Sequence, residues 1–338
     1  MIEAYLAQPE NIIIRDVDIP LAGDGEIVLR VDHVGICGSD IHAFYGRHPF
    51  IPLPIVLGHE AAGIVSAVGP GVSRIHVGDR VVIEPTLACK KCERCQTKRA
   101  HICDHLRVVG CQFPGAYAEY VVIPEKNAVI LPDAVSLREA ALIEPLAVGV
   151  RACRRGDVKE GNQVCVIGSG TIGIMTAIAA RAFGAQRVVV MDVNPQKCEF
   201  ARSLGFASFC NADADPKESL ELFFGAKGPD TILECVGVEG SVRFSLLGAP
   251  KGGKIVIVGV FEEDVSVPMA LVQDRELSVI GTLMYTEDDF ADAVQLVADG
   301  KVPTESLITR VFPLQEAAAA FTFIREQKGA AIKVMLKP

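Results

Sequence analysis

The sequence lacks the features that would point to nucleic acid or a membrane as a partner. It has no long basic run, and its formal net charge of -9 argues against a nucleic-acid surface. No apolar run reaches the roughly 20 residues that span a bilayer, and no basic segment followed by an apolar stretch opens the chain. The 338 residues carry no internal repeat or low-complexity tract and suit two domains. We therefore expect a two-domain cytoplasmic protein that acts on a small molecule.

Cysteine is abundant, with 11 residues, and four of them lie in one segment with the spacing C-x2-C-x2-C-x7-C. Four thiolates complete the tetrahedral coordination of Zn2+ and leave no open position. A redox-active C-x2-C or a disulfide pair is the alternative, but neither explains four cysteines in one loop. The spacing therefore favours a closed, structural zinc site in a lobe at 86–106. Its predicted ligands are Cys89, Cys92, Cys95 and Cys103.

Further metal-binding residue types lie in three separate segments. Residues 58–80 contain the adjacent pair His59 and Glu60 on a glycine-rich bend, and Cys37 ends a strand with an alternating pattern. Glu144 stands in an apolar segment, where a carboxylate is costly to bury unless a cation meets it. Each has an ordinary alternative: a surface His-Glu pair, a packing cysteine, or a helix-terminal salt bridge. The residues alone leave these alternatives open.

From about residue 149 the pattern changes to alternating strands and helices, which predicts a doubly wound parallel sheet. A glycine-rich turn follows the buried strand Gln163–Ile167 and opens a helix, so its backbone can approach a pyrophosphate at the helix N-terminus. The turn consists of Gly168, Ser169, Gly170, Thr171, Ile172 and Gly173. The next strand ends in Asp192, whose carboxylate would accept hydrogen bonds from the adenosine ribose diol and repel a 2'-phosphate. We therefore predict NAD as the cofactor, with a loop aspartate that caps the next helix as the alternative.

These motifs, in this order, resemble the zinc-containing medium-chain dehydrogenases, in the branch of the sorbitol, threonine and sugar-acid dehydrogenases. The most specific element is G-H-E-x2-G-x5-G, which begins at Gly58. The resemblance covers essentially the whole chain. It implies a GroES-like, mostly β catalytic domain made of 1–148 and 285–338, and a Rossmann NAD-binding domain at 149–284. One departure is Ala116, where the family's G-G-[FY]-A-E-Y strand usually has a second glycine.

The resemblance implies that Cys37, His59 and Glu144 bind a catalytic zinc with one open position for the substrate hydroxyl. An acidic ligand at 144 is typical of the polyol branch, whereas the primary-alcohol branch has cysteine there. Glu60 cannot join Glu144 and the substrate on the metal without adding a negative charge that weakens the Lewis acid. We hypothesise that Glu60 and Glu144 are alternative acidic ligands, and that their exchange helps water or product to leave.

Other residues receive roles from the same resemblance. Ser39 would contact the substrate oxygen, and His42 would lie at the outer end of a proton path, with an ordinary surface histidine as the alternative. Val236 and Gly259, at strand ends, would lie beside the nicotinamide half of the cofactor. Substrate identity would depend on loop residues, among which Arg47 or His48 could meet a carboxylate or phosphate or have a surface role. Those loop residues are Phe44, Tyr45, Arg47, His48, Phe113 and Tyr285.

The expected reaction transfers a hydride from a secondary alcohol of a polyol, sugar or sugar acid to NAD+ and gives the ketone. Two zinc ions per subunit and a homodimer or homotetramer are expected from the resemblance. An L-threonine or other alcohol dehydrogenase of the same fold is the main alternative. A zinc- and NAD-binding protein without catalysis and a zinc-free quinone reductase are further alternatives, which a panel of alcohols and a metal analysis would separate.

Overall fold

The structure is a computed structural model that describes residues 1–212, 214–327 and 329–338. The chain divides into two compact units, one made of Met1–Glu144 and Ala293–Pro338 and the other of Pro145–Asp292. The domain boundaries predicted after residue 148 and before residue 285 differ from these divisions by a few residues and stay predictions. None of the described helices is both long and apolar enough to cross a membrane.

Strands and helices are numbered from the N-terminus. The strands are β1 (Ile2–Gln8), β2 (Asn11–Asp16), β3 (Glu26–Gly35), β4 (Ile55–Val56), β5 (Glu60–Val68), β6 (Arg80–Ile83), β7 (Thr86–Leu87), β8 (Arg107–Val108), β9 (Tyr120–Pro124), β10 (Ala128–Ile130), β11 (Gln163–Ile167), β12 (Arg187–Asp192), β13 (Ala207–Cys210), β14 (Thr231–Glu234), β15 (Lys254–Ile257), β16 (Ser278–Gly281), β17 (Ile308–Pro313) and β18 (Lys333–Lys337). The helices are α1 (Gly38–Phe44), α2 (Glu93–Gln96), α3 (Leu137–Ala140), α4 (Ile143–Arg155), α5 (Thr171–Ala182), α6 (Pro195–Ser203), α7 (Pro216–Phe224), α8 (Glu239–Gly248), α9 (Ala270–Asp274), α10 (Glu287–Ala298), α11 (Thr304–Leu307) and α12 (Ala317–Glu326).

The first unit is mostly β and is organised around strand β3. Ile27 and Leu29 are fully buried and Arg30 is exposed, as predicted, but Val28 is buried too, so the two-residue alternation holds only from Leu29 to His33. One seven-stranded sheet has the order β10-β6-β5-β3-β18-β17, with β9 also paired to β3. The C-terminal strand β18 lies antiparallel beside β3, with Met335 opposite Gly35, and β5 places Glu60 on the other side of Gly35. Three distant segments therefore meet at the end of β3.

The second unit is a six-stranded parallel sheet with the order β13-β12-β11-β14-β15-β16. Read in chain order, this is the 3-2-1-4-5-6 arrangement of a doubly wound dinucleotide-binding fold. The predicted Rossmann fold is therefore confirmed. Strand β13 was not predicted, because it is only four residues long and lies at the sheet edge.

The helix predicted from Ser136 through Val148 is instead two helices, α3 and α4. The predicted capping box is present, since Ser136 Oγ accepts from the Glu139 amide at 3.2 Å and Glu139 Oε2 accepts from the Ser136 amide at 3.0 Å. Pro145 is the third residue of α4. Proline has no amide hydrogen and its ring is tolerated only in the first turn of a helix, so the chain begins a new helix just before it.

Candidate metal centres and cofactor site

The ligand atoms of Cys37, His59 and Glu60 all lie within 4.8 Å of one another. Cys37 is the N-cap residue of α1, directly after β3, and the other two residues lie at the start of β5. Gly58 permits the turn before them, because it has φ +97 and a Cβ there would lie 2.4 Å from the Tyr117 ring. Sulfur, imidazole nitrogen and carboxylate oxygen are donors that Zn2+ accepts, so this group fits a zinc ion.

Asp40 faces the histidine of this group. Its carboxylate is fully buried, and Oδ2 accepts hydrogen bonds from the Cys37 amide at 2.9 Å and the Tyr117 hydroxyl at 2.8 Å. Oδ1 lies 3.7 Å from His59 Nδ1, beyond hydrogen-bond distance, and neither atom has a hydrogen-bond partner in the part of the chain that the structure describes. A carboxylate that closes on this ring nitrogen would fix the tautomer and leave the other nitrogen for a metal. Burial alone would lower the pKa of His59, but Asp40 and Cys37 outweigh it and raise that pKa well above its usual range.

Glu60 also forms an ion pair with Lys333, a buried cation of β18. Lys333 Nζ donates to Glu60 Oε1 at 2.8 Å and Oε2 at 2.6 Å, and to the Ile36 carbonyl at 3.2 Å. Both side chains are almost completely buried. Burial opposes the charge on Lys333, but the carboxylate of Glu60 and the thiol group of Cys37 outweigh it and raise the pKa of the lysine. Gly35 leaves space for this arrangement, because a Cβ there would lie 2.0 Å from Glu60 Oε2.

The remaining residues of the predicted catalytic site lie near this group but outside it. Glu144 is buried on the first turn of α4 and its charge acts on Lys333, but it is not one of the donors within 4.8 Å of each other. Ser39 and His42 are half-buried on α1, the helix that Cys37 caps. Zinc binding by Glu144 and proton transfer by Ser39 and His42 therefore stay predictions.

The four cysteines predicted to bind a structural zinc lie together. Their sulfur atoms are 3.6 Å (Cys92 to Cys95), 3.8 Å (Cys92 to Cys103) and 4.0 Å (Cys89 to Cys95) apart. A tetrahedron with Zn–S bonds of 2.3 Å requires about 3.8 Å between sulfurs, so the group fits a zinc ion. Hydrogen bonds from the amides of Lys91 and Cys92 lower the pKa of Cys89 to about 6, whereas desolvation and the neighbouring thiols raise that of Cys95 to about 12. Neighbouring thiolates disfavour one another, and a bound Zn2+ would offset that repulsion.

The glycine-rich turn between β11 and α5 leaves room for a phosphate-bearing ligand. Gly168 has φ +99, and a Cβ on Gly173 would lie 1.8 Å from the Gly168 carbonyl oxygen. A Cβ on Gly170, by contrast, would meet no atom within 4 Å. The backbone is therefore open where α5 begins, at the positive end of the helix dipole.

Asp192 lies at the C-terminal end of β12 and lines a cavity of about 620 Å3 together with Gly168 and Gly170. Its Oδ2 accepts from the Ser169 amide at 2.8 Å and its Oδ1 from the Asn194 amide at 2.9 Å. The ammonium group of Lys197 lies 3.9 Å from Oδ2. The carboxylate is thus held in one orientation beside the glycine-rich turn, as a ribose-binding acid would be.

The turns after β14 and β15 contact each other at the same edge of the sheet. Glu234 is fully buried, and its Oε1 accepts from the amides of Val236 at 2.8 Å and Gly237 at 3.0 Å. A Cβ on Gly259 would lie 2.1 Å from the Gly237 amide nitrogen, so only glycine fits there. Val236 and Gly259 therefore lie together, and their contact with a nicotinamide ring stays a prediction.

Three supporting residues were missed by the sequence analysis. Lys333 interrupts the apolar run of the last strand, and a lone lysine in such a run was a usable signal for a buried ion pair. Glu234 ends an apolar strand and gave the same kind of signal. The bond from Tyr117 to Asp40 joins residues 77 apart, and no local pattern predicts it.

The fold and these sites define a two-domain oxidoreductase with two metal centres and a dinucleotide-binding sheet. The model of the alcohol dehydrogenase GroES-like domain matches residues 23–133, and that of the zinc-binding dehydrogenase matches residues 171–299. Sorbitol dehydrogenase of Rattus norvegicus is 36% identical over 340 residues (97% of this chain, 93% of the relative), and L-idonate 5-dehydrogenase of Vitis vinifera is 33% identical over 342 residues (98% and 93%). The crystal structure of the rspB alcohol dehydrogenase of E. coli CFT073 with NADH has a TM-score of 0.93 and 28% identity and covers 100% of this chain and 99% of its own. The chain belongs to the zinc-dependent medium-chain dehydrogenase family, in its polyol and sugar-acid branch.

Proposed function

We propose that this dehydrogenase oxidises a secondary alcohol of a polyol, sugar or sugar acid to the ketone, passes the hydride to NAD+ and releases one proton. The observation that carries the proposal is the group formed by Cys37, His59 and Glu60, with Asp40 behind the histidine. The named relatives support the substrate class, because one is a sorbitol dehydrogenase and another an L-idonate 5-dehydrogenase. A panel of polyols, aldonates and threonine, followed through NADH absorbance, tests it. No NADH with any of them would favour a binding protein without catalysis.

Residues of the first unit have separate roles in this reaction. Cys37 and His59 would hold the catalytic zinc, with Glu60 or Glu144 as its acidic ligand. Bound zinc supplies a Lewis acid for the substrate oxygen, and NAD+ supplies the hydride acceptor. Asp40 keeps His59 in the ligating tautomer. Ser39 takes the hydroxyl proton, and His42 passes it to solvent.

Asp192 is proposed to select NAD over NADP, and its substitution tests this. Asp192→Ala should weaken NADH binding about 10-fold, because a hydrogen bond to a charged group is worth about 1.5–3 kcal/mol. NADPH binding should weaken less or improve, because Lys197 then faces the 2'-phosphate without a neighbouring carboxylate. Fluorescence titration of both reduced cofactors measures the two dissociation constants. Asp192→Asn is the matched control for loss of charge alone. If the ratio of the NADH and NADPH dissociation constants were unchanged in both variants, Asp192 would have no part in cofactor selection.

Lys333 is proposed to hold Glu60 when that carboxylate is away from the metal. Lys333→Met should lower the unfolding free energy by about 3–5 kcal/mol in protein that lacks the catalytic zinc, because the substitution leaves Glu60 buried and unpaired. The loss should be smaller in zinc-loaded protein, where Glu60 can turn to the cation. Denaturant unfolding of both forms measures the difference. Lys333→Arg and the double variant Lys333→Met/Glu60→Gln should recover much of the lost stability. Equal losses of stability with and without zinc would contradict the proposal that Glu60 pairs with either Lys333 or the metal.

The assembly and compartment belong to the same proposal. We propose a homodimer or homotetramer, because β16 is an edge strand of the parallel sheet and exposes Val279 at 44%. An exposed edge presents unpaired backbone groups to a second copy. We propose a cytoplasmic enzyme, because four cysteines grouped as metal ligands suit a reducing compartment. The mass in solution from light scattering tests the assembly.

A further inference from the structure

The loop after α1 contains an arginine that has no acidic partner among the described residues. Arg47 is exposed and forms no ion pair with any residue that the structure describes. Its guanidinium carbon lies 5.6 Å from the centre of the Tyr45 ring, a cation–π contact that limits where the group can go. A planar guanidinium held in this way is suited to bind a carboxylate or phosphate through two parallel hydrogen bonds.

The end of α1 places Arg47 beside a second basic residue, His42. Gly46 has φ +69 and its amide donates to the Ala43 carbonyl at 2.9 Å, while the Arg47 amide donates to the His42 carbonyl at 2.8 Å. These two bonds form a Schellman motif. In that motif the residues at the positions of Arg47 and His42 are usually apolar and in contact. Here both positions carry basic side chains, and the bond from the Arg47 amide fixes the backbone that holds Arg47.

His48 adds a hydrogen-bond donor to the same loop. Its Nδ1 accepts from the Phe50 amide at 3.2 Å, so in the neutral ring the proton is on Nε2. Burial, followed by the charges of His42 and His59, lowers the pKa of His48 and favours that neutral ring.

A side-chain brace connects the loop to the metal group. Gln112 Nε2 donates to the Phe50 carbonyl at 2.8 Å, and its Oε1 accepts from the Val108 amide at 3.0 Å. The neighbouring residue, Cys111, is buried and lies next to His59. The loop that holds Arg47 is therefore fixed relative to His59 through the segment around Gln112.

We propose that Arg47, supported by His48, binds an anionic terminus of the substrate, so that the enzyme prefers a sugar acid or a sugar-alcohol phosphate to a neutral polyol. This inference rests on the proposed function and names the substrate class of that site. A carboxylate and a phosphate ester share the required chemistry, namely oxygen atoms that accept two hydrogen bonds from one guanidinium. A neutral polyol would leave the guanidinium without an anionic partner.

The test compares six-carbon alditols with their matched aldonates and alditol phosphates, using zinc-loaded enzyme. In the wild type we expect kcat/KM to be higher for one of the two anionic series than for the alditols, and the better series identifies the source of the anion. Arg47→Met should lower the ratio of anionic to neutral kcat/KM by about 10- to 100-fold, mainly through KM. Arg47→Lys should recover part of the loss. Arg30→Met, at an exposed position in β3, is the matched control and should leave the ratio unchanged.

A calorimetric measurement separates this inference from the proposed function. The affinity of NADH-loaded enzyme for aldonates and alditol phosphates should fall about 10- to 100-fold in Arg47→Met and weaken as salt is raised. If no alcohol of any series is oxidised, the proposed function fails, and calorimetry still decides whether Arg47 binds the anion. A wild-type preference for neutral alditols, or an equal effect of Arg47→Met on all three series, would overturn the inference.

Discussion

Cys37→Ser is expected to release one of two zinc ions and to lower kcat/KM at least about 1,000-fold, which corresponds to about 4 kcal/mol of transition-state stabilisation. The thiol is one of the donors within 4.8 Å of His59 and Glu60, and a serine hydroxyl does not replace a thiolate as a zinc ligand. The fold should persist, because Cys37 lies at a strand end and caps a short helix. Metal analysis and alcohol-dependent NADH formation measure the two effects.

The matched control for this substitution is Cys210→Ser. Cys210 lies in the second unit, outside both groups of potential metal ligands found among the described residues, and its sulfur donates to the Val193 carbonyl at 3.4 Å. The Cys210→Ser variant should retain two zinc ions. If Cys37→Ser also retained two zinc ions and full turnover, Cys37 would not be a ligand of the catalytic metal.

Cys95→Ser is expected to act first on stability. Its sulfur lies 3.6 Å from Cys92 and 4.0 Å from Cys89, within a group that fits closed tetrahedral coordination. Structural zinc binding contributes about 10–16 kcal/mol in zinc-finger peptides, and we expect several kcal/mol of such a contribution to be lost from the lobe. Thermal unfolding should begin at a lower temperature and zinc content should fall by one.

The contrast between the two cysteines tests the division into structural and catalytic metal. At temperatures below its first transition, Cys95→Ser should keep a larger share of activity than Cys37→Ser, because its site has no open position for substrate. Unchanged melting together with a full zinc content would show that the lobe is not held by a metal.

Local patterns predicted most of the fold and the parts of the site that lie within single segments. The four-cysteine spacing, the glycine-rich turn and the acid at the end of β12 each depend on neighbouring residues, and the structure brings each group together. The burial of Ile27 and Leu29 and the exposure of Arg30 were predicted for the same reason. A short motif carries this information because backbone geometry fixes where its side chains point.

Long-range pairing could not be predicted in this way. Lys333 follows Glu60 by 273 residues, and only the insertion of β18 beside β3 brings the ammonium group to the carboxylate. The break between α3 and α4 was missed because the apolar pattern continues through it, although Pro145 carried the signal. Glu60 and Glu144 were predicted as alternative metal ligands; the structure groups Glu60 with Cys37 and His59, and zinc binding by Glu144 stays a prediction.

Anomalous diffraction at the zinc absorption edge, on crystals of protein purified without chelators, tests the central claim most directly. We predict two peaks per chain, one among the four cysteines and one bounded by Cys37, His59 and either Glu60 or Glu144. Crystals with and without a bound alcohol analogue would show which acid binds in each state. No peak between Cys37 and His59, with the two side chains pointing apart, would contradict the account.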